Sequence, residues 1–263
     1  MKVILDIGAN DGFDGLVLSI LNPDKKVFAF EANPNLKSII MKNKKILEKI
    51  FNTKIKNYSL INKAVSNKNK KLPFYILKNL ATSSLLKPKK VLNRYWSNHS
   101  DKTIKNHSTD IKIKKKIIVD TVRLRDFCES NKITEINYIH CDTQGTDLDV
   151  FKSLGSFNRL IFKGVLETIQ SPKLSLYHNS FYTKDIKKFF KKFNFTILDI
   201  IEFHKNNPYR DVYFINYKFS GDKNINLPSL RERRFFDRIL KKKLKLKDWF
   251  YMKIIKLFKF KIF

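Results

Sequence analysis

The stretch "KVILDIGANDGFDG", residues 2–15, joins an unbroken apolar run to an acidic residue and three glycines, Gly8, Gly12 and Gly15. A short β-branched run without polar alternation is the pattern of a parallel strand covered on both faces. Glycines directly behind it let the backbone turn tightly and approach a ligand without a Cβ, and the helix that follows offers free N–H groups to an anion. In a doubly wound sheet the ligand sits in the crevice at the carboxyl ends of the strands, where the first turn reaches it most closely. This one stretch therefore predicts both an α/β fold and a cofactor site.

The rest of the chain alternates accordingly. "DGLVLSIL" has helical spacing, "KKVFAFEA" is a second buried strand, and Asn33 and Pro34 open a helix through "NLKSIIMKNKKILEKI". "IKNYSLINKAV" reads as a third strand and "LPFYIL" as a shorter extra one. Residues 78–116 then lose periodicity while carrying 11 basic and two acidic residues, which predicts a lid or loop insertion. Order returns with a strand and short helix at "KIIVDTVRLRDFCESN" and with a fourth main strand, turn and helix at "INYIHCDTQGTDLDVFKSLG". "IFKGVLETI" is a fifth strand and "YTKDIKKFFKKF" a helix; "FTILDIIEF" and "DVYFINYKF" close the series, joined through "NNPYR". A link that short between neighbours implies an antiparallel pair, so a mostly parallel sheet with one reversed strand near its end is expected.

One α/β domain over 1–218, with 78–116 as its basic lid or loop insertion, would then be followed by a linker and basic amphipathic tail over 219–263. Residues 229–263 hold 13 basic and three acidic residues among Phe, Ile, Leu, Trp and Tyr. Their apolar positions recur at helical spacing, which describes a helix lying in an anionic membrane interface. A helix packed back on the domain, or a disordered segment, fits the same letters.

Lys and Arg outnumber Asp and Glu by 54 to 24, a formal charge of +30. Such a surface attracts phosphate, anionic lipid or acidic glycan. Abundant Lys, Asn, Ile and Phe is also what an AT-rich coding sequence writes. Cys128 and Cys141 form no CxxC pair, so neither a disulfide framework nor a zinc site is expected, and a reducing cytoplasm fits. No secretory leader and no membrane-spanning stretch is expected either.

Glu31 ends the second strand, where a carboxylate can accept hydrogen bonds from both ribose hydroxyls. The glycine spacing is not GxGxxG, which counts against a nicotinamide dinucleotide. The ordered set "LDIGANDGFDG", "FEANPNL", "NKAVSN", "SSLL", "TVRLRDFCE", "IHCDTQGTDLDVFKSLG" and "GVLETI" resembles the FkbM family of S-adenosylmethionine-dependent methyltransferases across roughly residues 3–216. The resemblance implies a Rossmann-like class I methyltransferase sheet of seven strands with the last antiparallel. It also implies that Asp6, Gly8, Asn10 and Gly12 surround the methionine part of the cofactor, that Glu31 holds the ribose, and that Ala64 and Val65 lie beside the adenine. The chain departs from the family's "KIDVEG"-like stretch, reading "HCDTQG" with His140 and Gln144 at the usual lysine and glutamate.

Methyl transfer to oxygen is an in-line displacement that needs alignment of the reacting groups and a destination for the hydroxyl proton. Asp142, ending the fourth strand, is the first candidate for proton removal or acceptor orientation; the plainer reading is a contact to cofactor or a helix cap. His140, two residues earlier, is placed on the same side of the strand. With Asp142 and Glu167 it could hold a divalent ion, but a lone strand histidine is more often a satisfied core residue. Glu167 could line the acceptor pocket or pair with a lysine. His178, His99 and His107 are further possible bases, each also readable as a surface or loop residue. "NPY" at 207–209 matches an amino-methyltransferase motif in letters, but its place between the last two strands makes it a turn.

Three functions follow. An O-methyltransferase acting on a glycan, lipid-linked sugar or related metabolite is the leading one, cytoplasmic and peripheral to the membrane if the tail binds there. An RNA or DNA methyltransferase is suggested by charge, although no zinc, RNA-recognition or helix-turn-helix pattern is present and charge alone gives only non-specific, salt-sensitive binding. A non-catalytic cofactor-binding module is suggested by the altered "HCDTQG".

Overall fold

A computed structural model describes residues 1–90, 96, 111–202, 208–229 and 233. The strands are β1 (Lys2–Ile7), β2 (Lys26–Phe30), β3 (Tyr58–Ile61), β4 (Ala64–Val65), β5 (Lys71–Leu77), β6 (Ile113–Val122), β7 (Glu135–Cys141), β8 (Ile161–Ile169), β9 (Thr196–Ile201) and β10 (Tyr209–Ile215). Seven of them form one sheet in the order β3-β2-β1-β7-β8-β10-β9. β1 runs parallel to β2 and β7, while β10 runs antiparallel to both β8 and β9. The single reversed strand is the last, as the short link before it predicts.

Alternation along β1 sends its residues to two cores. Val3, Leu5 and Ile7 pack with Phe151 and Phe190, from the helices α4 (Asp147–Leu154) and α5 (Thr183–Phe193), and with α3 (Leu124–Ser130) through Leu124 and Cys128. Ile4 points the other way, to Leu16 and Leu47 on α1 (Phe13–Leu21) and α2 (Lys37–Phe51). Burial on both faces explains why β1 carries no polar alternation.

Two sequence expectations need correction. The stretch "IKNYSLINKAV" is not one strand: Lys63 N turns back to Ile61 O at 2.9 Å, β3 stays in the main sheet, and β4 joins a second sheet in the order β4-β6-β5. The aperiodic segment also ends earlier than 116, because β6 starts at Ile113 and pairs along β5. Its Lys114–Lys116 run lies on the exposed first half of this strand, which becomes buried only at Val119 and Thr121 and which charge counting alone does not reveal. Residues 78–90 are ordered around a 3-10 turn at Leu80–Thr82 whose start is capped by the Asn79 side chain.

After β10 the chain docks back beneath the sheet. Asn226 and Asn22 exchange two hydrogen bonds of 2.9 Å, and Lys25, 2% exposed, lies 2.7 Å from Asp24 and 3.6 Å from Asp222. Apart from Ser229 and Arg233, the basic segment 229–263 lies outside the described residues. No helix among the described residues is long and apolar enough to cross a membrane.

Candidate active site at the carboxyl ends of the strands

The first turn is locked to its neighbours by backbone. Gly8 has φ 86°, and a Cβ there would stand 1.9 Å from Asp142 O, so only glycine lets the turns after β1 and β7 touch. Asp142 N donates to Ile7 O, and Gly8 N and Ala9 N both donate to Phe30 O, each at 2.9 Å. The ends of β7, β1 and β2 are thereby stitched into one rim.

Glu31 is held within this rim. Its Oε2 accepts from Asn10 N and its Oε1 from Asn33 N, both at 2.7 Å, while its carbonyl accepts from the Asn62 amide. Burial pushes the carboxyl up to about 7, against the opposing pull of the Asn33 and Asn10 N–H groups. Each carboxylate oxygen still has a lone pair to offer.

A crevice opens over this rim. It is lined by Gly8, Asn10, Glu31, Ala64, Val65 and Asp142, so six of the residues singled out in the sequence meet at one place. Ile7, Phe30, Phe74 and Leu85 supply apolar wall, while Thr143, Gln144, Thr146 and Ser83 add polar groups. Ser83 and Leu85 come from the "SSLL" stretch, which lies inside the segment expected to act as a loop insertion.

Asp6 and Gly12 do not line the crevice. Asp6 is fully buried one residue below the rim, its Oδ1 2.9 Å from His140 Nδ1 and its Oδ2 without a partner among the described residues. Gly12, with φ 80°, sits where a Cβ would meet Ile40 at 2.8 Å, so it serves the packing of α1 on α2. Neither role is visible without knowing that β7 pairs with β1 and that α2 crosses behind the turn.

His140 also turns away from the crevice, toward Asp6 and, at 3.9 Å, Asp14. Burial alone would lower it, yet the charges of Asp14, Asp6 and Asp142 hold it up to about 10. The ring is therefore a buried cation balanced by carboxylates, and the trio His140, Asp142 and Glu167 does not converge. Among the described residues no three His, Cys, Asp or Glu side chains are grouped as metal ligands.

Asp142 and Glu167 are joined through a residue that the sequence singled out only as a departure. Gln144 Nε2 donates to Asp142 Oδ1 at 2.6 Å and to Glu167 Oε2 at 3.0 Å. Burial raises both carboxyls, Glu167 well above its usual range, with the charge of Asp142 adding to the latter. Glu167 faces a second, narrow hollow that it shares with Thr168, Ser180 and Asp147. Asp147, the first residue of α4, holds the turn that precedes it, accepting from Thr143 N and Gly145 N, and burial and then Asp142 push it up to about 7.

The remaining candidates stand apart. His178 is exposed, with its N–H on Lys87 O, and does not line the crevice. His99 and His107 lie outside the described residues. Of "NPY", Pro208 O accepts from Gln170 N and Tyr209 opens β10, while residue 207 lies outside the described residues.

The sequence pattern described as the methyltransferase FkbM domain matches residues 6–217. The chain belongs to the FkbM methyltransferase family. It carries an S-adenosylmethionine-dependent methyltransferase domain. Among curated proteins, the 2-O-methyltransferase NoeI of Sinorhizobium fredii (strain NBRC 101917 / NGR234) is 28% identical over 156 residues, 56% of this chain and 55% of NoeI. The chain thus matches about half the length of that relative. Among solved structures, the FkbM methyltransferase of Methylobacillus flagellatus KT is 12% identical over 81% of this chain and 44% of its own, with a TM-score of 0.48. TrmK of M. capricolum, solved with S-adenosylhomocysteine, is 13% identical over 89% of this chain and 68% of its own, with a TM-score of 0.42.

Proposed function

We propose that this FkbM-family chain is an O-methyltransferase that uses S-adenosylmethionine to cap a hydroxyl of a glycan, lipid-linked sugar or related metabolite. The observation that carries the reading is that Glu31 and Asp142, at the ends of β2 and β7, line one crevice. The donor set fits the cofactor: a clamped carboxylate with free lone pairs for ribose hydroxyls, apolar wall for a purine, and a carboxyl group where a cation would be welcome. Glu31 would hold the ribose, Ala64 and Val65 would flank the adenine, and Gly8 and Asn10 would face the methionine part. When bound, the cofactor supplies an electrophilic methyl group on a sulfonium.

The chain's own residues must then orient the acceptor and take its proton. Asp142 is the carboxyl group that lines the crevice beside Gly8, and burial holds its pKa closer to neutrality than that of a surface aspartate. In this role it would receive the hydroxyl proton as the acceptor oxygen bonds the methyl carbon and the carbon–sulfur bond breaks, a neutral thioether being the leaving group, with Glu167 behind it in the second hollow.

Two observations support a neutral hydroxyl rather than a nucleic-acid acceptor. NoeI is named for 2-O-methylation. The crevice is also lined by Asp142, a carboxyl group that disfavours a nearby phosphate. Within this reading the basic segment 229–263 brings the domain to an anionic membrane surface.

The test is to incubate the protein with methyl-labelled S-adenosylmethionine and, separately, total glycolipid, soluble polysaccharide and total RNA. Alkali-stable label on carbohydrate, abolished in Asp142→Ala, is expected. Label on RNA that survives moderate salt, with none on carbohydrate, would overturn the choice of acceptor.

A further inference from the structure

We propose that Gln144 is a positioning residue for methyl transfer, whose side-chain amide holds Asp142 and Glu167 together and presents Asp142 to the crevice as the proton acceptor. The inference rests on the hydroxyl-methylation reading above and concerns how its base is kept in place.

Gln144 is bound on every side. Its backbone is left-handed, φ 55°, in the turn between β7 and α4, and its carbonyl accepts from Ser84 Oγ at 2.9 Å. Nε2 uses its two hydrogens on two carboxyl groups, Asp142 at 2.6 Å and Glu167 at 3.0 Å. Oε1 lies 3.2 Å from the hydroxyl of the fully buried Tyr177, whose single hydrogen is shared between this oxygen and Thr82 O. Reversing the amide would set its oxygen against Asp142, so the two carboxyl groups fix which end carries the nitrogen. Through Ser84 and Thr82 the same residue ties the segment that lines the crevice to the base at its floor.

A residue with two donors and no charge is what this place needs. Asp142 is faced by His140 of β7, Asp14 of α1, Asp147 of α4, Glu167 of β8 and Asp211 of β10, and the Tyr177 and Tyr209 hydroxyls lie near Glu167. The Gln144 amide and the His140 cation are the groups that favour the ionised form of Asp142, whereas Glu167 receives carboxylate repulsion from Asp142, Asp147 and Asp211. Of the two bridged carboxyl groups, Asp142 loses its proton first, and Glu167 stays neutral behind it. A glutamate at 144 would replace the shared donor by a third acid and remove this asymmetry.

The test needs no acceptor. In protein labelled with 13C at Asp and Glu side-chain carboxyl carbons, resonances of residues 142 and 167 are assigned from Asp142→Asn and Glu167→Gln and followed against pH. In the wild type Asp142 should titrate below Glu167. Gln144→Leu should move the Asp142 midpoint up by about one pH unit, the worth of one lost hydrogen bond to a charged group. Gln144→Glu, closer in shape, should move it the same way, because Asp142 then faces a third carboxyl group in place of its amide donor. A midpoint for Asp142 that stays put in both single variants, or Glu167 ionising first in the wild type, would overturn the proposal. Because no methyl is transferred, a failure here is distinguishable from a failure to find a methylated hydroxyl.

Discussion

At the scale of single residues, the rim of the crevice is governed by positions where one side chain fits. Gly8 is the sharpest case, since both its φ of 86° and the 1.9 Å approach to Asp142 O exclude a Cβ. Gly8→Ala should cost about 1–3 kcal/mol for the left-handed backbone alone, and more once the turn after β7 is pushed aside. Chemical denaturation should read the loss as a lower midpoint, accompanied by weaker S-adenosylhomocysteine binding; an unchanged midpoint would mean that the two turns are not in contact. The glycines and the acid at the end of β2 were readable in the letters because a strand-turn-helix start puts them at the crevice whatever the rest of the fold does. Gln144 was visible only as an odd letter. Its meaning depends on Glu167 and Tyr177, 23 and 33 residues further on, and no local pattern links them.

At the scale of elements, strand pairing decides where charges go. Asp6 and His140 are register partners on β1 and β7, which converts a histidine that the sequence offered as a metal ligand or base into a buried counter-ion. Its pKa stands near 10, above the ordinary value of 6.5, so the pairing contributes stability below about 6.5 that is lost as pH rises through about 10. His140→Gln should therefore be less stable than the wild type at pH 6, and the gap should narrow steadily toward pH 10. Melting curves across that range check it, and a gap independent of pH would show that the imidazole is neutral in the fold. Pairing also explains the misplaced boundaries. Nothing in "IKNYSLINKAV" marks where a strand leaves one sheet for another, because β3 and β4 carry similar apolar letters and the break is made by Asn62 and Lys63 reaching back to Glu31 and Ile61. The reversed strand near the end of a mostly parallel sheet was legible, since a short link between adjacent strands implies an antiparallel pair.

At the scale of the whole molecule, a chain of formal charge +30 concentrates buried acids at the working end of its sheet. Glu31, Asp142, Asp147, Glu167 and Asp211 all sit above their ordinary pKa values, with burial as the first cause in each. Such clustering of raised carboxyls in a cleft is the arrangement from which a base working near neutral pH is made. Composition alone pointed outward, to polyanionic partners, and could not reveal an acidic centre. The central claim, that the crevice between β1, β2 and β7 is the cofactor site, is tested most directly by calorimetric titration of S-adenosylhomocysteine into the wild type and Glu31→Ala. Micromolar binding that weakens by about 10-fold or more in the variant, the worth of a charged hydrogen bond or two, is the expected result. No binding to the wild type, or equal binding to both proteins, would contradict it.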